Sequence, residues 1–205
     1  MEPGSAPTAG SPVVARSLEG PEAAELAALA AVSDDVQHVL ACCERLVTAL
    51  TPPRVPSAAA SPDTALVEAL WTSALLAYAR VFAERAGGLT TADLEALGLP
   101  GDVVGFHELL VRLREQYGSV DANPRESCSV GVVEGDDGRP VGVAVLAAPL
   151  PLVDDGAARQ LGRLAFALNT RVDARMQEAQ ARVLQRAREL TREELAALPL
   201  VRADP

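Results

Sequence analysis

The sequence predicts a mainly α-helical protein: a four-helix bundle with a β-hairpin inserted before a long C-terminal helix. Apolar residues recur at steps of three and four along four long segments, as expected for helices with one buried face. Two short valine-rich runs flank an Asp-Gly step, a strong turn signal for a hairpin. Hydrophobic residues make up 49% of the chain but aromatics only 3%. The core is therefore expected to consist of Leu, Val and Ala packed between helices.

The chain of 205 residues is expected to form one domain with two tails. Residues 1–20 are rich in Pro, Gly, Ser and Ala without apolar periodicity, so we predict a disordered N-terminal tail whose deletion costs little stability. Residues 21–192 contain the periodic segments and form the predicted helical bundle domain. Residues 193–205 are predicted to be a C-terminal tail.

The first two long helices supply most of the predicted core. The first begins at Pro21, where a proline loses no hydrogen bond, and runs to about Leu50. The second begins at Ser61, a capping hydroxyl before a proline, and runs to about Arg85. It is apolar over so wide an arc that we expect a central position and a buried Trp71. The stripe expected to be buried on the first helix is Leu29, Val32, Val36, Leu40, Cys43, Val47 and Leu50.

In the second half of the chain, the sequence predicts a short helix over 91–97, a helix over 102–117, a hairpin and a final long helix. The hairpin strands are expected at Ser129–Val133 and Pro140–Ala147, and the final helix from Asp155 to about Leu190. The final helix has an apolar stripe about nine turns long, which one small bundle can hardly cover. We therefore predict a homodimer in which this helix pairs with its copy. The stripe is Leu161, Ala165, Leu168, Val172, Met176, Ala179, Val183, Ala187 and Leu190.

Charge and motif content limit the functional classes. The net charge of −10 argues against broad contact with nucleic acid. The final helix nevertheless carries three arginine pairs at a spacing of four: Arg159/Arg163, Arg171/Arg175 and Arg182/Arg186. These pairs could form a docking strip for an acidic partner or for RNA. They could equally form a solvent-exposed face that pairs with acidic residues of another helix or subunit. No cofactor or metal motif is present, so we expect neither ligand.

Cysteine usage and hydropathy bear on location. Cys42, Cys43 and Cys128 have no metal-ligand spacing, and buried reduced thiols are expected, which favours a cytoplasmic protein. The sequence shows no signal-peptide pattern, and no apolar run approaches the ~20 residues of a membrane span. All 18 basic residues are Arg, and Lys and Ile are absent, as expected for a GC-rich bacterial genome. His38, in the first helix, has no acid or nucleophile nearby in the sequence, so we expect an incidental role.

Two stretches resemble the HEPN-like helical domains of bacteria. A helix with an LW…YAR.F pattern precedes one that reads roughly H..L..LR, followed by an NP-containing turn. The resemblance covers about residues 60–190 and implies a helical domain that is usually dimeric. The matching residues are Trp71, Tyr78, Ala79, Arg80, Phe82, His107, Leu110, Leu113, Arg114, Asn123 and Pro124.

The same resemblance suggests ribonuclease activity, but this sequence lacks one residue that the activity needs. Active members are metal-independent ribonucleases with an Arg-x4–6-His motif, in which arginine steadies the phosphate charge and histidine moves a proton. Arg114 stands at the arginine position, but Val120 stands where the histidine is expected. Asp121 is ionised at neutral pH and is a poor substitute acid. His107 lies seven residues before Arg114, on the wrong side of the motif. Arg114, His107 and Asp121 are therefore only weak catalytic candidates.

The function expected from these observations is a non-catalytic HEPN-like binding or regulatory module that acts through protein–protein contacts. One alternative is an unrelated helical-bundle adaptor or structural protein. A further alternative is a metal-independent ribonuclease with a rearranged site around Arg114. If Arg114 is structural, we expect it to pair with an acid of a neighbouring helix, and its removal to lower stability.

Overall fold

The computed structural model describes residues 15–51, 62–83, 88–119, 128–147 and 153–201. The protein is mainly helical with one two-stranded antiparallel hairpin, which confirms this part of the predicted fold class. The closing of four helices into a bundle stays a prediction. The elements are α1 (Pro21–Leu50), α2 (Thr64–Val81), α3 (Thr91–Glu95), α4 (Val103–Gly118), β1 (Cys128–Glu134), β2 (Pro140–Ala147), α5 (Asp155–Glu189) and α6 (Arg192–Ala197).

Helix α1 lies between α5 and α2 and is antiparallel to both. Near its start, Glu25 accepts a hydrogen bond from Arg182, near the end of α5, at 2.8 Å. Midway along it, Gln37 donates to Asn169 of α5 at 2.8 Å. The central position expected for α2 is thus held by α1, which packs against α5 and α2 on two sides. The buried residues of α1 are Leu29, Val32, Asp35, Val36, Val39, Cys42, Cys43 and Leu46.

The buried face of helix α2 is as predicted from the sequence, but the helix begins and ends at different residues. Trp71 is 6% exposed, which confirms that it is buried. The helix is capped by Asp63, whose carboxylate accepts hydrogen bonds from the backbone N–H of Ala65 and Leu66 at 3.1 Å. Asp63 thus takes the capping role predicted for Ser61, which lies outside the described residues. An aspartate two residues beyond the serine competes well because its charge also interacts with the helix dipole.

The apolar stripe of α5 is buried in its first half and mostly half-buried in its second. Its first five turns bury Leu161, Leu168 and Val172 in the common core. Further along, Val183 and Ala187 are half-buried and line a cavity of about 290 Å³ shared with Leu18, Leu26 and residues of the C-terminal segment. The homodimer stays a prediction.

Ordered contacts extend past both expected tail boundaries. Arg16 forms a bridge with Leu200, and its guanidinium donates to the carbonyl oxygens of Ala196 and Leu198 at 2.7 and 2.6 Å. Helix α6 also lies inside the segment predicted to be a C-terminal tail. The remainder of the predicted N-terminal tail, residues 1–14, lies outside the described residues. Residues 15–20 therefore belong to the ordered fold and not to the expected tail, while the effect of deleting residues 1–20 on stability stays a prediction.

Helix α1 is long and apolar enough to cross a membrane by length and composition alone, a test that buried core helices also pass. Its apolar face, however, packs against α2 and α5 inside the protein core, as in core helices of soluble proteins. The structure is consistent with a soluble protein, and the cytoplasmic location stays a prediction.

Candidate functional site

The residues that carry the HEPN-like resemblance meet where α2 contacts α4. The Tyr78 hydroxyl lies 2.9 Å from Nδ1 of His107, and the Phe82 ring lies 4.4 Å from the imidazole, centre to centre. His107 and Phe82 line a cavity of about 300 Å³ together with residues that precede α3. Tyr78, Phe82 and His107, three of the residues that carry the resemblance, thus form one cluster, and the resemblance itself stays a prediction.

Burial favours the neutral forms of both ionisable groups in this cluster. Burial lowers the pKa of His107, with only partial opposition from Glu108, and burial raises the pKa of Tyr78 above its ordinary value. Tyr78 therefore keeps its proton, and its hydroxyl donates to Nδ1 or accepts from Nδ1–H according to the tautomer of the ring. In either tautomer Tyr78 occupies Nδ1. His107 links two helices.

Arg114 does not meet His107 in a catalytic arrangement. Seven residues separate them on α4, which is about 10.5 Å along the helix axis. Arg114 is exposed, and within the described part of the chain it has no ion pair or hydrogen bond. The expectation that it pairs with an acid of a neighbouring helix is thus wrong, because its side chain points into solvent. Val120 and Asp121, the other residues of the expected motif, lie outside the described residues.

Five of the six arginines in the three pairs on α5 lie near a carboxylate. This agrees with one of the two interpretations of the sequence. Arg159 pairs with Asp155 one turn earlier at 2.7 Å, and Arg186 lies 3.8 Å from Glu22 of α1. Arg163 differs from the other five, since it has no carboxylate partner among the described residues.

Asp93 anchors the short helix α3 to α5. One carboxylate oxygen accepts hydrogen bonds from the N–H and hydroxyl of Thr90, and the other accepts from Nε of Arg171 at 2.7 Å. Arg175 stands 4.0 Å away. Burial opposes ionisation of Asp93, but the hydrogen bonds from Arg171 and Thr90 outweigh it and lower the pKa of this carboxyl. The chain segment after α3 is thereby held alongside α5.

That anchoring creates a groove, which we call the α5 groove: three adjoining cavities between α5 residues 156–178 and the segment 96–106. Their volumes are about 360, 540 and 730 Å³. Leu99 lines all three, and Phe166 stands where the second meets the third. The stretch of α5 involved is about 33 Å long. The groove therefore has room for an extended or helical peptide segment of another protein.

Phe166 and Arg163 give the α5 groove its chemistry. Phe166 is 67% exposed, the largest side chain that α5 leaves in water. Arg163 lines the first two cavities, and Arg171 and Arg175 line the third. Asp102 and Glu178 also line the groove, and Arg171 and Arg175 are held by Asp93. The apolar floor beside Arg163 therefore matches a ligand with apolar residues and an acidic group placed next to them. Sequence reasoning missed Phe166, although a signal existed: it is a large apolar residue beside the buried stripe and not part of it.

The other histidine and the cysteines correct two smaller expectations. Nε2 of His38 lies 2.7 Å from the hydroxyl of Ser73 on α2 and 3.6 Å from the sulfur of Cys42. His38 therefore has a partner that only the fold could supply. Burial raises the pKa of both helical thiols, that of Cys43 to about 12, as expected for unreactive core cysteines. Cys128, expected to be buried, is exposed on β1.

The described residues contain no group of three or more His, Cys, Asp and Glu side chains that could hold a metal ion. No protein-family model, no curated protein and no solved structure matches this chain. The function must therefore be argued from the geometry itself.

Proposed function

We propose that this protein is a non-catalytic helical binding module that acts through protein–protein contacts, and that the α5 groove is its binding surface. The observation that carries the proposal is the exposed Phe166 at the junction of adjoining cavities. An exposed aromatic side chain inside a groove is a usual anchor of a protein interface.

The partner is a segment with apolar residues on one face and acidic residues beside them. Apolar anchors would fill the cavities around Leu99 and Phe166. Acidic residues would meet Arg163, which has no described partner of its own, so no internal ion pair must be broken on binding. Charge complementarity of this kind sets the orientation of a bound segment and speeds association.

We propose that the protein is not catalytic at its two candidate residues because of how each of them is placed. The Nδ1 of His107 is engaged by Tyr78, and Arg114 is about two helical turns away from that ring. A HEPN-like protein in this state would be a family member that keeps the helical scaffold without its chemistry. An unrelated helical adaptor would use the same groove, so the proposed binding does not depend on kinship.

The test is selection of random peptides of about 20 residues, which match the length of the groove, from a display library against the full chain. We expect the selected peptides to combine apolar and acidic residues. They should lose most of their affinity for Phe166→Ser and keep it for Leu109→Ser, which removes another large exposed apolar side chain, from α4.

Two outcomes would overturn the proposal. Selected peptides that bind Phe166→Ser as tightly as the wild type would place the binding surface elsewhere. Tight, salt-sensitive binding of single-stranded RNA that is lost in Arg163→Ala would assign the groove to nucleic acid instead.

A further inference from the structure

The hairpin presents an apolar face to solvent. Val130 pairs with Val145 across the two strands, and Val132 pairs with Val143. Directly opposed residues of an antiparallel pair lie on the same face, so these four side chains form one surface, which we call the valine face. All four are between 65 and 73% exposed. The opposite face has Gly131 against Ala144 at its centre and is less uniform, with Leu146 64% exposed and Val133 43% exposed on either side.

The valine face is large enough to be a binding surface. Four valines exposed to this degree present on the order of 400 Å², which matches the largest apolar patch on a typical monomer, a patch that is often functional. A two-stranded hairpin is also only marginally stable by itself and needs a packed face or further strands. The helical core does not supply that packing for these four residues.

We propose that the valine face is a self-association surface, and that its occupant is the valine face of a second copy of this chain. Two such faces, packed across a two-fold axis with their flanking residues, would bury about 1,000 Å² in total, which is the lower bound for a specific interface. The two hairpins would then form a small two-layer sheet with a dry interior.

A second copy matches this surface better than a partner of different chemistry. Glu134 is the only charged residue of the two strands, so the face offers nothing to attract a charged ligand. Rows of identical valines interdigitate with the same rows turned by a half rotation, which is the requirement of an isologous interface. Each copy carries a net charge of −10. An uncharged face is therefore where two copies can meet without burying charge.

The experiment is sedimentation velocity of the full chain at concentrations from micromolar to submillimolar, for the wild type and for Val132→Thr/Val143→Thr. Threonine keeps the branched shape and the strand preference of valine but brings a hydroxyl to the face. We expect a wild-type dimer, and a dissociation constant raised about tenfold or more in the double variant. Val133→Thr, on the opposite face, is the matched control and should dimerise like the wild type.

Two further measurements keep the test decisive. Cys128 pairs with Ala147 at the end of the valine face and is exposed, whereas Cys42 and Cys43 are buried. Alkylation of Cys128 in the wild type should therefore slow as the protein concentration rises. Added salt should tighten the dimer, because it screens repulsion between two acidic bodies.

The proposal is overturned if the wild type remains monomeric across the whole concentration range. It is also overturned if the double threonine variant dimerises as tightly as the wild type, or if Val133→Thr weakens the dimer equally. A dimer that dissociates as salt rises would show a charged interface and would overturn it too. None of these outcomes depends on the α5 groove, so this proposal and the proposed function can fail separately.

Discussion

Replacement of Asp93 should loosen the wall of the α5 groove and destabilise the fold by a predictable amount. Asp93→Ala removes the capping-box carboxylate of α3, which is worth about 1 kcal/mol in other helices. It also removes the charge-assisted hydrogen bond from Arg171, nominally about 1.5–3 kcal/mol. Because the Arg171 side chain is 39% exposed and can return to water, we take the lower part of that range. The expected loss is about 2–3 kcal/mol.

The assay is urea unfolding at pH 7, followed by the fluorescence of Trp71, the only tryptophan of the chain. Asp93→Asn keeps the shape and one acceptor oxygen, so its loss should be smaller than that of Asp93→Ala. Arg112→Ala is the matched control, since the ion pair of Arg112 with Glu108 is long, at 3.9 Å, and fully solvated. It should change the free energy of unfolding by less than about 0.5 kcal/mol.

The pH dependence gives a second check on the same interaction. The pKa of Asp93 is lowered in the folded protein, so its contribution to stability is complete above the ordinary aspartate pKa of about 3.9. The contribution is lost as pH falls below that value. The difference between the wild type and Asp93→Asn should therefore shrink as pH is lowered from 5 to 3. A loss below 0.5 kcal/mol for Asp93→Ala at pH 7 would refute the anchoring of α3 by Asp93.

Three more predictions concern the core and the weak catalytic candidates. Trp71→Ala should cost about 3–5 kcal/mol, because Trp71 is buried; its urea unfolding is followed by circular dichroism, since the variant has no tryptophan. The pKa of His107 is lowered by burial, so its stabilising contribution is present above about pH 6.5 and fades below it. His107→Gln should flatten the change of melting temperature between pH 7 and 5, while His38→Gln keeps it. The wild type and Arg114→Ala should both leave RNA uncut in the absence of metal, and their melting temperatures should be equal. If the wild type cleaves RNA and Arg114→Ala does not, the ribonuclease hypothesis is supported instead.

The periodic part of the fold could be predicted from sequence because helix faces and turns are local properties. Pro21 at a helix start and the Asp-Gly turn of the hairpin are encoded within a few residues, and the structure has both elements. The register of the buried stripe was less certain. Leu40 and Val47 were expected to be buried, yet Val39 and Leu46 are buried more completely. A helix that packs between two neighbours buries a wider arc than one stripe describes.

The candidate site could not be predicted, because it depends on contacts between distant parts of the chain. Nothing near Asp93 in sequence indicates that Arg171, 78 residues later, will hold it. Cavities form between elements, so the groove around Phe166 has no sequence motif. Arg114 was expected to be paired because a charged residue on an amphipathic helix often is. Only the fold reveals that α4 is peripheral, with Leu110 as its single fully buried residue.

The most direct test of the central claim is a double-mutant cycle between the α5 groove and a selected acidic peptide. Arg163→Ala in the protein is combined with replacement of each acidic residue of the peptide by alanine, and the four dissociation constants of each cycle are measured at low salt. We expect one acidic position to show a coupling free energy of about 0.5–1.5 kcal/mol that declines as salt is added. If no acidic position couples to Arg163, and Phe166→Ser leaves the affinity unchanged, the α5 groove is not the binding surface.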